Sequence, residues 1–478
     1  MAVTTGRARW RLESGGVGSS TRQAMVIAIA LGLSATATFG NIKPASASPF
    51  FEVTATIPVG FGPSGVAVDP STHHVYVANE QSGNQGSTIQ AGTVSVIDES
   101  GDARTGTVVA NIPTRINPIE PAVDPTSHNV YVTNESPDAG LVVIDESGDA
   151  RTGTVVAHFP VGLDPGGVAV DPTSHNVYVA NADDNLSHGT LSVIHEPGGA
   201  NTGTVVANIP VGEEPVGVAV DPTTHKVYVT NAQSGSVSVI DESGDATSGT
   251  VVATIPVPDR PGAVAVDPTT HKVYVASAAI AFGADGTLSV IDESGDATSG
   301  TVVATIPVGV LPAAVAVDPT THDVYVTNAE NDSVSVIDEP GDAGNGTVVA
   351  TIPVGGWPDG VAVDPGTDNV YVANQTSNTV SVITVTVEHA PVFIAASPPL
   401  AARANEPYAY SFNASGFPAP RYSLGGGAPS WLTIDALTGA VSGTVPRRVI
   451  SFAYTVTATN SVGSAVAGPF SVVVRHAR

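Results

Sequence analysis

The chain has 478 residues, and its 44 acidic residues outnumber its 17 basic ones, for a net charge of −27. It contains no cysteine, which excludes disulfide scaffolds, zinc–thiolate sites, iron–sulfur clusters and cysteine nucleophiles. An apolar content of 42% excludes general disorder, and 50 glycines with 37 prolines predict a turn-rich, all-β protein.

Residues 1–47 are predicted to be a signal peptide. Four arginines between residues 7 and 22 precede an apolar stretch at 24–39, and a small-residue cleavage sequence follows at 45–47. The apolar stretch is shorter than the ~20 residues that a membrane span needs. We therefore predict cleavage near Ala47, a mature chain with no transmembrane span, and a secreted or cell-surface location.

A segment of the Val-Ala-Val-Asp type occurs seven times between residues 48 and 387, at intervals of 46 to 55 residues. Each repeat continues with a Val-Tyr-Val strand, a Ser-Val-Ile-Asp strand and a Thr-Val-Val-Ala-Thr-Ile strand. Four strands per repeat at this spacing are typical of propeller blades. The repeat aspartates are Asp69, Asp124, Asp171, Asp221, Asp267, Asp318 and Asp364.

The fourth strands also predict how the ring closes. Their first copy, 53–59, precedes the first repeat, whereas the seventh repeat, 361–387, has no fourth strand after it. We predict that 53–59 completes the seventh blade, which would leave no open sheet edge.

Six of the seven second strands end in Val-Tyr-Val-Thr-Asn or Val-Tyr-Val-Ala-Asn, and the fifth has Ser277 in place of asparagine. In this the sequence resembles the YVTN family (YncE-like) of β-propeller repeat proteins, found in bacterial and archaeal surface-associated proteins. The resemblance implies a seven-bladed propeller over 48–387 and a surface setting.

The repeat ends in a linker, 388–406, and a different module follows at 407–478. The Trp431-Leu432 pair and the Thr438-Gly439 turn resemble those of bacterial Ig-like and cadherin-like modules, which implies a small Ig-like β-sandwich. The cadherin resemblance is not taken to imply calcium binding here, because residues 388–478 contain only three acidic residues.

The charge lies mainly on the predicted propeller. Residues 48–387 contain 6 basic and 40 acidic residues, for a net charge of −34. Such a surface repels phosphate backbones, so no nucleic-acid partner is predicted.

Two repeated features bear on metal binding, and no cofactor is predicted from either. A histidine near the repeat aspartate recurs in six blades and is interpreted as a structural device. The acidic loops between third and fourth strands have two possible interpretations. They bind Ca²⁺, or they are hairpins with a purely structural role. The histidines are His74, His128, His175, His225, His271 and His322, and the acidic loops are 98–102, 145–149, 241–245, 292–296 and 338–342.

Function is expected where the blades differ, in the loops that lead from the outer strand of one blade into the inner strand of the next. We call these the inter-blade loops. Glu120 stands where the other six blades have glycine or alanine. Two interpretations stay open: its side chain points into the channel, or the second repeat has diverged without functional consequence. The predicted ligand-binding residues at the channel mouth are Phe61, Arg115, Glu120, Asp164, Glu213, Glu214, Asp259, Arg260, Trp357 and Asp359.

The sequence has no serine-hydrolase elbow, phosphate-binding loop or His-Glu-x-x-His motif, and it assigns no catalytic residue. The first prediction is a secreted or cell-surface binding protein that presents its mouth loops to a cell-wall or host protein or glycan. One alternative is a lactonase-like propeller hydrolase or lyase with acidic residues and arginine at the channel mouth. The other is a structural surface-layer component.

Overall fold

The computed structural model describes residues 49–81, 91–98, 106–135, 140–146, 153–182, 189–196, 203–242, 249–281, 283–293, 300–338, 346–387, 389–425 and 427–476. These residues form 37 β-strands and one turn of 3₁₀ helix, Ala329–Asn331. Valine, isoleucine, threonine and tyrosine dominate the strands, where branched and aromatic side chains pack well on a pleated surface. The predicted signal peptide lies outside the described residues.

The first six blades are antiparallel sheets of four strands that pair in chain order. Blades 1 to 3 contain β2 (Phe61–Asp69), β3 (His74–Gln81), β4 (Thr93–Asp98) and β5 (Thr107–Pro113); β6 (Pro118–Asp124), β7 (Asn129–Asn134), β8 (Leu141–Asp145) and β9 (Thr154–Phe159); and β10 (Pro165–Asp171), β11 (Asn176–Asn181), β12 (Thr190–His195) and β13 (Thr204–Pro210). Blades 4 to 6 contain β14 (Pro215–Asp221), β15 (Lys226–Asn231), β16 (Ser236–Asp241) and β17 (Thr250–Pro256); β18 (Arg260–Asp267), β19 (Lys272–Ala278), β20 (Asp285–Asp292) and β21 (Thr301–Val310); and β22 (Pro312–Val317), β23 (Val324–Asn328), β24 (Ser333–Asp338) and β25 (Thr347–Pro353).

The seventh blade is completed by the first strand of the described chain. It contains β26 (Pro358–Asp364), β27 (Asn369–Asn374), β28 (Thr379–Val387) and β1 (Pro49–Pro58). Strand β1 runs antiparallel to β28, with Phe51 opposite Val385 and Ile57 opposite Val380. The predicted seven-bladed propeller, closed by an N-terminal strand, is therefore confirmed.

The hydrophobic core of the propeller is divided among the seven junctions between neighbouring blades. At the junction of blades 1 and 2, Tyr76 and Val94 pack against Val130 and Val142. All seven repeat tyrosines are at most 1% exposed. The tyrosine of each Val-Tyr-Val strand is therefore a core residue, and its burial removes a large apolar surface from water.

At the end of the channel where first and second strands are joined, each junction but one has a histidine–aspartate contact. The repeat aspartate accepts a backbone N–H of its own turn through Oδ1 and the Nδ1–H of the next blade's histidine through Oδ2. For Asp171, these contacts are with Thr173 N at 2.9 Å and His225 Nδ1 at 2.7 Å. We call the six contacts the inter-blade His–Asp pairs: His73–Asp364, His128–Asp69, His175–Asp124, His225–Asp171, His271–Asp221 and His322–Asp267.

The pairs correct the sequence interpretation of blade 1, where the paired residue is His73 and not His74. His73 ends the turn in a left-handed conformation, φ 60°, which aims its ring at the neighbouring blade. His74 is already the first residue of β3, opposite Asp98. Strand alternation therefore sends its side chain elsewhere, and its ring lies edge-on to Tyr76.

The junction of blades 6 and 7 lacks the histidine. Asp368 takes its place in the turn, with the same left-handed backbone, and it faces Asp318 of blade 6. Burial and the charges of Asp318 and Asp364 raise the pKa of Asp368. Like charges therefore meet at the one junction where the repeat differs.

In five blades the asparagine of the second-strand motif bonds a serine of the third strand, and in blades 4 and 6 it also bonds the inter-blade loop. The buried Asn231 donates from Nδ2 to Ser238 Oγ at 3.0 Å and accepts the N–H of Gly212, in the inter-blade loop, at 2.9 Å. Blade 5 differs at both positions, with Ser277 for the asparagine and Pro258 for the glycine. Because proline has no N–H to donate, an asparagine oxygen at position 277 would lack this partner.

The C-terminal region is a separate set of nine strands around its own aromatic core. Phe412 and Tyr454 lie at its centre, and Leu432 of the predicted Trp-Leu pair is buried beside them. The predicted Ig-like β-sandwich is confirmed. Its strands are β29 (His389–Ala395), β30 (Ala401–Arg403), β31 (Pro407–Ser411), β32 (Asn413–Phe417), β33 (Arg421–Leu424), β34 (Thr433–Ile434), β35 (Ala440–Thr444), β36 (Ser451–Thr459) and β37 (Ser464–Arg475).

Among the described residues, no helix has the length and apolar character needed to cross a membrane.

Candidate functional site

The seven inner strands lie so close together around the channel that their facing residues have to be small. A Cβ on Gly360 would come within 2.4 Å of Ser64 O, and one on Gly65 within 2.5 Å of Ile119 O. In blade 2 the same position is Glu120, whose Oε2 lies 2.7 Å from the place of a Cβ on Gly65. A carboxylate therefore occupies space that the other blades keep free.

Inside the ring is a cavity of about 230 Å³. It is lined mainly by the two residues that follow the proline of each inter-blade loop, and the blades divide it into two sides. We call blades 7, 1 and 2 the polar side, because they contribute Asp359, Ser64 and Glu120. Blades 3 to 6 form the apolar side, where the lining residues are glycine, alanine and valine.

Glu120 is fixed through its backbone and faces the cavity. Its N–H donates to Thr133 Oγ1 at 3.2 Å, and Thr133 Oγ1 in turn donates to Gly166 O of the next blade at 2.7 Å. The side chain is partly exposed, and the walls of the cavity that it lines are formed by the inner strands of the seven blades. Burial between these strands and the charge of Asp359 raise the pKa of Glu120 to about 8.

Asp359 lines the same cavity from blade 7. Its backbone carbonyl accepts a hydrogen bond from Thr327 Oγ1 of blade 6 at 3.0 Å. Burial and the charge of Glu80 raise the pKa of Asp359 to about 6. Near neutral pH, Asp359 is therefore mostly a carboxylate and Glu120 mostly a carboxylic acid, which is the pairing that suits a general base and a general acid.

The sequence interpretation did not include Glu80, Glu135 or Gln375 as site residues. Gln375 Nε2 donates to Glu80 Oε1 at 3.2 Å, across the junction of blades 7 and 1. Burial raises the pKa of Glu80, and the charge of Glu135 contributes to this shift. The sequence did contain a signal for these residues. The residue after the second-strand motif is polar in blades 7, 1 and 2 and alanine in the other four. The equivalent residues elsewhere are Ala182, Ala232, Ala278 and Ala329.

The inter-blade loops have a repeated backbone geometry at the mouth. Asp164, Glu214 and Trp357 each precede the loop proline in a left-handed conformation, with φ between 45° and 54°. Their carbonyls accept the N–H of the residue after the second strand, as Trp357 O does from Gln375 N at 2.9 Å. Each loop is thereby attached to its own blade. Positive φ is costly for residues with side chains, so these loops are held by their surroundings.

Arg260 and Glu214 pair with each other at the rim of the mouth. Arg260 Nη2 lies 2.9 Å and 3.0 Å from the two carboxylate oxygens of Glu214. The pair joins the inter-blade loops of blades 4 and 5 and is exposed to solvent, so its contribution to stability is small. Neither side chain lines the cavity that contains Glu120 and Asp359.

The remaining predicted residues are distributed around the rim. Phe61 is 54% exposed and Trp357 38% exposed. The backbone N–H of Glu213 donates to Ser234 Oγ at 2.8 Å, and Asp259 is exposed with a left-handed backbone. Arg115 follows β5 and lies close enough to His158, on the outer strand of blade 2, to contribute to lowering its pKa. The structure thus brings together Glu120 and Asp359, and places the other eight outside the cavity lining.

The described glutamates of the acidic loops, Glu146, Glu242 and Glu293, are buried, and Glu293 lies 3.7 Å from Lys226 Nζ. Glu196, at the equivalent position of blade 3, accepts a hydrogen bond from Tyr131 of the preceding blade at 2.9 Å. Most other residues of these loops fall outside the described ranges. Among the described residues, no group of three or more histidine, aspartate or glutamate side chains is arranged to hold a metal ion. Calcium binding by the acidic loops stays a prediction.

The comparisons with known proteins agree with this architecture. Residues 272–392 match the family model "Lactonase, 7-bladed beta-propeller", and residues 390–475 match "Putative Ig domain". The first match includes Asp359 and Gln375 but begins well after Glu120. The chain therefore carries a seven-bladed β-propeller, part of which matches a lactonase family model, and a C-terminal Ig-like domain. No curated protein matches its sequence.

Among solved structures, the chain is similar to hydrazine synthase of Kuenenia stuttgartiensis, with a TM-score of 0.55 and 21% identity over 68% of this chain and 96% of that one. It is also similar to the periplasmic gluconolactonase PpgL of Pseudomonas aeruginosa, with a TM-score of 0.53 and 16% identity over 62% of this chain and 86% of that one. At these identities the likeness establishes the propeller fold.

Proposed function

We propose that this protein hydrolyses lactones in the cavity between Glu120 and Asp359. The observation that carries the proposal is two carboxyl groups in one cavity with pKa values raised to about 8 and about 6. The match of residues 272–392 to a lactonase family and the fold shared with a gluconolactonase support it. This is the alternative that the sequence left open, and it has more support than the binding interpretation.

In the proposed reaction Asp359 acts as general base and Glu120 as general acid. Asp359 takes a proton from a water molecule as the water oxygen attacks the lactone carbonyl carbon. The bond between that carbon and the ring oxygen then breaks, and the ring oxygen takes the proton of Glu120. The product is an open hydroxy acid. Perturbed acid–base pairs of this kind contribute factors of about 10² to 10⁴ each to the rate.

The test is turnover of a panel of γ- and δ-lactones by the purified full chain and by Glu120→Gln. The variant keeps the shape of the side chain and removes its transferable proton. We expect hydrolysis by the wild type and a loss of about 10²-fold or more in the variant. Glu330→Gln, at an exposed glutamate on the apolar side, is the matched control and keeps full activity. A panel with no turnover by the wild type would refute the proposal.

Display of the mouth to a cell-wall or host protein or glycan is the second candidate. The exposed Phe61 and Trp357 at the rim favour it, because exposed aromatic side chains are frequent anchors in binding surfaces. This second proposal includes three further points: residues 1–47 direct export, the mature protein lies at the cell surface, and the chain belongs to the YVTN family. Binding to immobilised glycans or cell-wall fractions that is lost in the double variant Phe61→Ala/Trp357→Ala would support it. Retention of the chain in the cytosol would contradict it.

A further inference from the structure

We infer that the cavity accepts small uncharged lactones and rejects lactones that carry a phosphate or a carboxylate. This inference rests on the proposed function and adds the substrate class to it.

The ionised side chains around the cavity are acidic. Asp359 is the carboxylate that lines it, Glu120 in the same lining is mostly protonated near neutral pH, and no lysine or arginine is among the lining residues of the described chain. Glu80 lies close enough to Asp359 to raise its pKa, and Glu135 does the same to Glu80. An anionic group entering the mouth would therefore meet like charge in a site with low-dielectric walls, where repulsion is strong.

The cations nearest to the mouth do not offset this field. Arg260 is paired with both carboxylate oxygens of Glu214, so it adds no net positive charge at the rim. Arg115 is near the outer strand of its blade, where it contributes to lowering the pKa of His158. Phosphate recognition usually relies on arginine, lysine or a cluster of backbone N–H groups, and the cavity lining contains no basic side chain.

The opposite side of the cavity indicates what the rest of the substrate is like. Gly166, Val216, Gly262 and Ala313 line it, and none has a side-chain hydrogen-bond donor or acceptor. Ser64, on the polar side, already donates its hydroxyl hydrogen to Ile119 O at 2.8 Å. The ring carbons of a lactone would lie against this apolar side, with the ester group turned toward Glu120 and Asp359.

The volume limits the size of the substrate. The cavity measures about 230 Å³. An apolar cavity of about 150 Å³ holds benzene. A single five- or six-membered ring with short substituents therefore fits.

Charge selection can be measured by binding, independently of catalysis. The probes are pyroglutamide and pyroglutamate, two stable five-membered lactams that differ by one negative charge. Calorimetry uses the full-length Glu120→Gln protein, in which glutamine mimics the protonated glutamic acid. We expect the amide to bind about tenfold more tightly than the anion or better, and the ratio to shrink in high salt.

A second variant identifies the source of the selection. The double variant Glu120→Gln/Glu80→Gln lacks one charge beside Asp359. We expect the ratio of the amide's affinity to the anion's affinity to fall roughly twofold to fivefold, mainly because the anion binds better. Glu52→Gln, at an exposed position on the outermost strand of blade 7, removes the same charge far from the channel and leaves the ratio unchanged. Equal or tighter binding of the anion, or no binding of either probe, would overturn the inference.

The corresponding lactones separate this inference from the proposed function. Hydrolysis of γ-butyrolactone-γ-carboxamide with at least about tenfold higher kcat/KM than the γ-carboxylate supports both. Hydrolysis of the two at equal rates refutes charge selection and leaves the hydrolase. Selective binding of the lactam amide without hydrolysis of either lactone refutes the hydrolase and leaves charge selection.

Discussion

The two ends of the propeller channel are built from the same repeat but differ in how far the seven blades agree. At the end with the turns between first and second strands, six junctions have the same His–Asp pair at 2.6 to 2.8 Å. At the mouth, three neighbouring blades contribute acidic or amide side chains and the other four contribute alanine at the same position. The repeated His–Asp pairs hold neighbouring blades together at one end. The residues that differ between blades form the candidate site at the other end.

The largest expected effect concerns the pH dependence of hydrolysis at the mouth. Activity should rise as Asp359 loses its proton, with a pKa of about 6, and fall as Glu120 loses its own, with a pKa of about 8. Asp359→Asn should lower kcat/KM by about 10²-fold or more, and Glu120→Gln should also abolish the alkaline decline. Stopped-flow or pH-stat rates across this range measure both. A flat pH profile in the wild type would contradict the assignment.

A smaller effect is expected on stability when Glu120 is changed to alanine. The raised pKa means that the folded protein holds this proton more tightly than the unfolded chain does. Wild-type stability is therefore lost as pH rises from 4.5, the ordinary value, through about 8. At higher pH Glu120→Ala should gain about 2–4 kcal/mol in unfolding free energy relative to wild type.

Urea unfolding of this variant near pH 9 and pH 4 measures the difference, which should disappear at the lower pH because Glu120 is neutral in both states. The exposed Glu330→Ala is the control and should show no such pH dependence. An equal gain at both pH values would point to packing instead of charge.

The two adjacent histidines of blade 1 test the other end of the channel. His73→Ala removes one of the two donors to the buried Asp364 Oδ2, the other being Thr367 Oγ1, and should lower the unfolding free energy by about 1–3 kcal/mol. His74→Ala, one residue later, should change stability by about 0.5 kcal/mol or less. Chemical denaturation compares the two variants. An equal loss of unfolding free energy in the two variants would show that the His–Asp pairs do not contribute to stability.

The smallest expected effect is a gain in stability when the junction of blades 6 and 7 is given the histidine that it lacks. Asp368→His places a histidine in the left-handed turn position, opposite Asp318, and replaces a like-charge contact by a seventh His–Asp pair. We expect a stabilisation of about 1 kcal/mol, measured as a rise in Tm. Asp368→Asn removes the repulsion without supplying the imidazole, so it should gain less. A histidine variant no more stable than the asparagine variant would contradict the role of the pair.

Much of the fold could be predicted because the repeat is local and regular. The strand pattern, the number of blades and the closing strand all follow from counting short β-segments between turn residues. For Glu120 the sequence left two interpretations open, because six small residues at one position indicate crowding there but do not show where a longer side chain goes. His74 was the wrong choice in blade 1 because two histidines stand side by side, and only the φ of 60° at residue 73 selects between them.

The sequence by itself determined that this chain makes seven blades and a β-sandwich, because alternation and turn chemistry act over a few residues. Only the tertiary structure decided that Asp359 and Glu80 act on the same site as Glu120, since these residues are far apart in the chain and meet only when the ring closes. It also decided that each histidine bonds the aspartate of the preceding blade. Closure of the ring sets both, because it brings the last blade beside the first and surrounds the inner carboxylates with strands.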